Sequence, residues 1–178
     1  MIKAVFLDRD GTINEDRGYV YSSDRLVLIP RSIEALKLLE EEFSLFIVTN
    51  QCGIGENVFS QREYLDFNEY FQSLLRDNGI YIKDTYCCPH KKEQRCICRK
   101  PKTYFLEKAA KEYDIDIVNS YVVGDHPHDV EMGFRMGAKT VYLLSGHGTR
   151  HRDELGAAPD HIEKDLYAAS VRILEENR

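Results

Sequence analysis

Apolar residues in this chain fall into short unbroken runs separated by stretches with helical spacing. The first run, Ala4 to Leu7, leads straight into Asp8-Arg9-Asp10-Gly11-Thr12. A run this short, bounded by polar residues and Gly, predicts a buried strand. A Gly-, Tyr- and Asp-rich loop follows. Ser32 to Glu42 then carries Ile33, Leu36, Leu38 and Leu39 against a Glu-rich far side, which predicts an amphipathic helix. Ser44 to Thr49 predicts a second buried strand, ending on Thr49-Asn50-Gln51, and Gly53 and Gly55 keep the next loop open. Ser60 with Glu63 forms a capping box ahead of Tyr64, Phe67, Tyr70, Phe71, Leu74 and Leu75 at helical spacing. Ile80 to Cys87 predicts a third strand, and 88–102 reads as irregular. Thr103 to Tyr113 predicts a helix, Ser120 to Val123 a strand that ends at Gly124-Asp125, and Val130 to Met136 a helix stopped by Gly137. Lys139 to Leu144 predicts a further strand, and a last helix lies within 164–176. Strands alternating with helices throughout predict an α/β fold, a doubly wound, mostly parallel, Rossmann-like sheet. The 178 residues suit one domain, 1–178, with 88–102 as a loop inside it.

Composition narrows the class. With 43% hydrophobic and 30% charged residues the chain reads as soluble and globular. It shows no secretory leader and no membrane span, so the expected location is the cytoplasm. A net charge of -6 argues against a nucleic-acid partner, whose binding face is normally basic, but not against a small anion held in one pocket. The 5 cysteines are an odd number clustered between 87 and 98, apart from Cys52, a pattern that points to metal rather than to disulfides.

In a parallel sheet the C-terminal strand ends share one edge, where such folds bind ligands. Three predicted strands end there in polar groups: Asp8 with Asp10, Thr49 with Asn50, and Asp125 with Asp129 shortly after. Two acids two residues apart invite a divalent cation and a division into nucleophile and proton carrier, although alone they would also suit an ordinary Asp-Gly turn. Adding Arg99-Lys100, just before Pro101, gives acids for a cation, a hydroxyl and amides for an oxyanion, and positive charge for a phosphate. That combination suits phosphoryl transfer. A second group, Cys88, His90, Cys96 and Cys98, offers three thiolates and an imidazole for a closed, structural zinc site. Cys87 is an alternative to Cys88, though strand alternation points it the other way. Zinc there would pin the irregular loop and set Arg99 and Lys100. His128, His147 and His151 are loosely spaced and read as loop residues. Cys52 reads as a small pocket-lining residue.

The segments DRDGT, TNQ after a strand, RKP, and VGD followed by Asp129 resemble the four motifs of haloacid-dehalogenase-like phosphatases. The resemblance implies Asp8 as the nucleophile that becomes an aspartyl-phosphate, and Asp10 as general acid and base with its carbonyl on magnesium. It further implies Thr49 and Asn50 on the phosphoryl group, Lys100 helped by Arg99 as its counter-charge, and Asp125 as a magnesium ligand. An anionic nucleophile approaches an anionic phosphate only when Mg²⁺ and Lys offset the repulsion. Asp129 would hold a metal-bound water or Lys100, or serve as a helix N-terminal acid. The zinc loop narrows the resemblance to heptose 1,7-bisphosphate 7-phosphatases and the related histidinol-phosphate phosphatases, over nearly the whole chain. It implies that Asp16, Arg17, Gly18 and Tyr19 line the substrate site beside Gln51, Cys52 and His126. The first loop, about twenty residues, is too short for an inserted cap domain.

The chain departs from that pattern at Cys52, usually Ser, at Glu56-Asn57, usually Arg-Gly, and at His126, often Lys. Loss of two cations weakens the case for a distal phosphate, unless His126 serves when protonated. The expectation is a monomeric Mg²⁺-dependent phosphomonoesterase with structural Zn²⁺, acting on a heptose bisphosphate. The alternatives are histidinol phosphate or another small phosphorylated metabolite, a nucleic-acid 3′-phosphate, or a non-catalytic zinc-stabilised binding protein.

Overall fold

A computed structural model describes residues 1–177 and resolves the predicted alternation into six strands. These are β1 (Ala4–Leu7), β2 (Ser44–Asn50), β3 (Ile82–Cys88), β4 (Tyr121–Gly124), β5 (Lys139–Leu143) and β6 (His161–Glu163). They form one sheet in the order β3-β2-β1-β4-β5-β6. Every adjacent pair is parallel, with Leu7 of β1 opposite Ile47 on one side and Val123 on the other. The helices are α1 (Ser32–Glu40), α2 (Cys52–Gly55), α3 (Gln61–Asp77), α4 (Tyr104–Tyr113), α5 (Pro127–Met136), α6 (Gly148–His151) and α7 (Leu166–Glu176).

The unbroken apolar runs have a simple cause: the central strands are covered on both faces. In β1, Val5 and Leu7 pack toward Leu36 and Leu39 of α1, Phe67 and Phe71 of α3, and Ile173 of α7. Ala4 and Phe6 face the opposite layer, with Phe105 and Leu106 of α4 and Met132 of α5. Edge strand β6 is three residues long with no fully buried side chain, so it leaves no apolar pattern to read. The capping box at Ser60 and Glu63 forms in both directions. Helix α5 starts earlier than its apolar spacing predicts because His126 and Asp129 form a second capping box around Pro127. It ends where Gly137 turns left-handed, at φ 73°.

The strand order reverses between β1 and β4, so their C-terminal ends open a crevice at the centre of the sheet. Among the described residues no helix is long and apolar enough to cross a membrane.

Candidate active site and thiolate cluster

Asp8 leaves β1 at this crevice, its backbone N–H donating to Val123 O at 2.9 Å. Lys100 reaches it from the segment between β3 and α4. The ammonium donates to Asp8 Oδ1 at 2.6 Å, Asp129 Oδ1 at 2.7 Å and Val48 O at 2.9 Å, using all three of its hydrogens. Its backbone N–H donates to Asn50 Oδ1 at 3.1 Å. Burial pulls the Lys100 ammonium down in pKa, but the Asp129 and Asp8 charges outweigh it and the net value is raised. Asp129 therefore holds Lys100 and caps α5 at once, its Oδ2 accepting the His126 N–H at 3.3 Å.

Carboxylate oxygens of Asp8, Asp125 and Asp129 lie within 4.8 Å of one another. Burial pushes Asp8 up to about 7; Lys100 offsets part of this, and Asp129 and Asp10 add to it. Burial and the Asp8 charge push Asp125 up to about 8, although Asp125 Oδ2 accepts the His147 N–H at 2.7 Å. One lysine does not balance three buried carboxylates, and the all-oxygen donor set suits a hard divalent cation. Gly11 makes room for this group. Its φ is 91°, and a Cβ there would lie 2.1 Å from Asp125 Oδ2.

The Asp10 side chain stands outside the carboxylate cluster. It accepts from the Arg9 guanidinium at 2.8–3.2 Å, Asn14 Nδ2 at 2.9 Å and Gln51 Nε2 at 2.7 Å. Gln51 also donates to Thr49 Oγ1 at 2.9 Å.

A cavity of about 260 Å³ collects Asp8, Asp10, Thr49, Asn50, Gln51, Cys52, Arg99, Lys100, Asp125 and His126 with Asp16, Gly18 and Tyr19. Arg17 is not among its lining residues; its half-exposed guanidinium pairs with Glu15 at 3.2 Å. His128 and His147, which spacing alone assigns to loops, do line it. His147 Nε2 meets Asp16 Oδ2 at 2.9 Å, an acid–imidazole contact that only the folded loops bring together. Cys52 lies beside Arg99, and burial pushes its thiol up, as does the Glu56 charge. Burial and the His128 neighbour pull His126 down to about 4, and its Nδ1 accepts the His128 N–H at 3.2 Å. His126 is thus a neutral acceptor at pH 7, not a replacement cation. Glu56 accepts the Tyr19 hydroxyl at 2.5 Å and does not line the cavity. That hydrogen bond, followed by burial, pushes Tyr19 up to about 12.

A second cavity of about 470 Å³ shares Arg99, Lys100 and His128 with the first. Its remaining walls are Lys92, Arg95, Cys96, Pro101, Lys102 and Arg135, with no carboxylate among them.

Cys88, His90, Cys96 and Cys98 present one ligand atom each within 4.8 Å of the others. The sulfur separations are 3.3, 3.6 and 3.8 Å, and His90 Nδ1 is 3.4 Å from Cys98 Sγ and 3.7 Å from Cys88 Sγ. These are far too long for disulfides and close to the edge of about 3.8 Å that a Zn–S bond of about 2.3 Å gives a tetrahedron. The donor set therefore fits zinc. Cys88, not Cys87, joins the group; Cys87 faces Tyr64 across the strand, and burial pushes it up to about 11. Arg99 donates to His90 O at 3.1 Å, so the cluster directly braces a cavity residue.

Residues 97–169 match the HAD-hydrolase-like family model. A D-glycero-beta-D-manno-heptose-1,7-bisphosphate 7-phosphatase from Pasteurella multocida is 44% identical over 156 residues, 82% of this chain and 84% of that protein. The chain belongs to this phosphatase family. Another member, from Chlorobaculum tepidum, is 36% identical over 182 residues, 94% of this chain and 92% of that protein. The crystal structure of the D,D-heptose 1,7-bisphosphate phosphatase from B. bronchiseptica, complexed with magnesium and phosphate, matches with a TM-score of 0.90 at 27% identity, covering 98% of this chain and 99% of that one. The shared fold places the Asp8 crevice in a family of phosphatases within the HAD-like hydrolases.

Proposed function

We propose that residues 1–178 form a single, monomeric, cytoplasmic phosphatase domain that removes the 7-phosphate of D-glycero-D-manno-heptose 1,7-bisphosphate. The observation that carries the reading is the juxtaposition of the Asp8–Lys100–Asp129 charge group with a second, carboxylate-free basic cavity. One site suits the reacting phosphate and the adjoining one a distal phosphate. The second cavity answers the departures at Glu56 and His126, because its cations come from other positions. Names of relatives support the substrate.

Asp8 attacks phosphorus as the P–O bond to the sugar breaks. The electron pair stays on the sugar oxygen, which takes a proton from Asp10. Water then attacks the aspartyl-phosphate, giving its proton to Asp10 and releasing phosphate and Asp8. Thr49 and Asn50 bind the phosphoryl oxygens, and Lys100 with Arg99 offsets their charge. Asp8, Asp125 and the Asp10 carbonyl would hold Mg²⁺, which supplies charge neutralisation when bound. Cys88, His90, Cys96 and Cys98 would hold structural Zn²⁺. Asp16, Gly18, Tyr19, Gln51, Cys52 and His126 meet the substrate. Neither nucleic acid nor membrane is a partner.

The test is phosphate release with Mg²⁺ from both anomers of the heptose bisphosphate, histidinol phosphate, fructose 1,6-bisphosphate and a 3′-phosphorylated oligonucleotide. The heptose bisphosphate should have the highest kcat/KM. A profile led by histidinol phosphate would overturn the substrate while keeping the chemistry.

A further inference from the structure

Arg9 has no part in the reaction above, yet among the described residues it heads the fully buried side chains in size, at 0% exposure. A guanidinium so placed needs its charge answered nearby. Asp10 is its one ion-pair partner among the described residues. Arg9 Nε and Nη2 both reach the Asp10 carboxylate, the nearest contact 2.8 Å, and Nη2 also donates to Val20 O at 2.8 Å. The guanidinium carbon lies 4.9 Å from the centre of the Phe67 ring in α3. Its Nη1 has no partner, so packing here is arranged around the Asp10 contact rather than around full satisfaction of the arginine.

The other donors to Asp10 belong to the same arrangement. Asn14 holds Oδ1 and Gln51 holds Oδ2, while the carboxylate stays 15% exposed and lines the cavity. Proton transfer to a leaving oxygen requires the acid within hydrogen-bond reach, and a small displacement is costly. A planar fork fixes both the position and the plane of a carboxylate, which a lysine cannot do. Val20 follows directly on Asp16–Tyr19, so Arg9 fixes Asp10 relative to the loop that meets the substrate.

We propose that Arg9 is a positioning residue that holds Asp10 in register with the substrate loop for proton delivery to the leaving group. The proposal rests on the reading of Asp10 as general acid. Purely structural burial would need no fork aimed at a cavity carboxylate.

The test compares kcat/KM for the best sugar phosphate with that for p-nitrophenyl phosphate, whose leaving group departs without a proton. Asp10→Asn should depress the sugar phosphate far more than the aryl phosphate; if it depresses both alike, the reading of Asp10 fails. Given that bias, Arg9→Met should lower the sugar phosphate by about 100-fold and the aryl phosphate by less than about threefold, within the usual contribution of general acid catalysis. Arg9→Lys, which keeps the charge without the fork, should show the same bias to a smaller degree, and it carries the comparison if Arg9→Met does not fold. Arg9→Lys placed on Asp10→Asn should add little further loss. Equal losses on both substrates, no loss, or full additivity with Asp10→Asn would overturn the proposal.

Discussion

Asp8 and Lys100 are 92 positions apart in the chain and 2.6 Å apart in the fold. Their pairing determines what single substitutions should do. Asp8→Asn keeps the shape but removes the nucleophile, so kcat in a phosphate-release assay should fall by more than about 10³-fold with the circular dichroism unchanged. Lys100→Met should do more, because it leaves Asp8 and Asp129 facing each other with their cation gone. Breaking such a buried pair costs about 3–5 kcal/mol, to be read from the urea midpoint, along with loss of turnover. Asp8, Asp10, Asp125 and Lys100 were legible beforehand because each sits at a strand end or in a recognisable motif. Arg9 was not. Its meaning depends on Asp10, Val20 and Phe67 closing around it, and a charged residue beside a Gly turn otherwise reads as exposed. His128 and His147 were hidden for the same reason, since the loop partners that bring them to the cavity are distant in sequence.

The loop at 88–102 illustrates the scale of elements. It contains one 3₁₀ turn, Lys92–Gln94, and otherwise depends on its four ligand atoms for shape. Removing zinc with a chelator, or replacing Cys96 by Ser, should release Arg99 from His90 and lower kcat/KM by roughly 10–100-fold, the usual cost of displacing a positioning group. The sheet's circular dichroism should change little. The same loop supplies Lys92, Arg95 and Lys102 to the second cavity, and none of the three has a carboxylate partner among the described residues. Replacing Lys92 and Arg95 together by Ala should raise KM for a bisphosphate about tenfold or more while leaving the corresponding monophosphate within about twofold, since only the former loses charge-assisted contacts. Strands β1, β2, β4 and β5 were readable as apolar runs because both faces are buried. By contrast β6, α2 and α6 are too short to carry a period; β3, predicted over Ile80 to Cys87, was legible although as an edge strand it mixes buried with exposed positions.

At the scale of the whole molecule, a net charge of -6 conceals a basic wall beside a crowded acidic site, because composition does not record where charge lies. The acidic group links metal binding to stability. Asp8 and Asp125 are held near 7 and 8 by burial, well above the usual carboxylate value that an unfolded chain restores. In metal-free protein the folded state therefore binds more protons than the unfolded state through neutral pH, and the stability these groups contribute is lost as pH rises through 7 and 8. Magnesium reverses the trend, since it competes with those protons and binds more tightly once they have left. Binding confined to the folded state adds RT ln(1 + [L]/Kd), so each tenfold gain in apparent affinity adds about 1.4 kcal/mol, or roughly 3–6 °C in Tm for a chain of this size. Thermal melts of the zinc-loaded protein at pH 6 and pH 9, each without added Mg²⁺ and with excess Mg²⁺, isolate the effect because zinc is kept in both arms and other titrating groups cancel in the difference. The Tm gain from added Mg²⁺ should be several degrees larger at pH 9. A shift independent of pH, or larger at pH 6, would mean that the cation is not held by the buried Asp8–Asp125 pair.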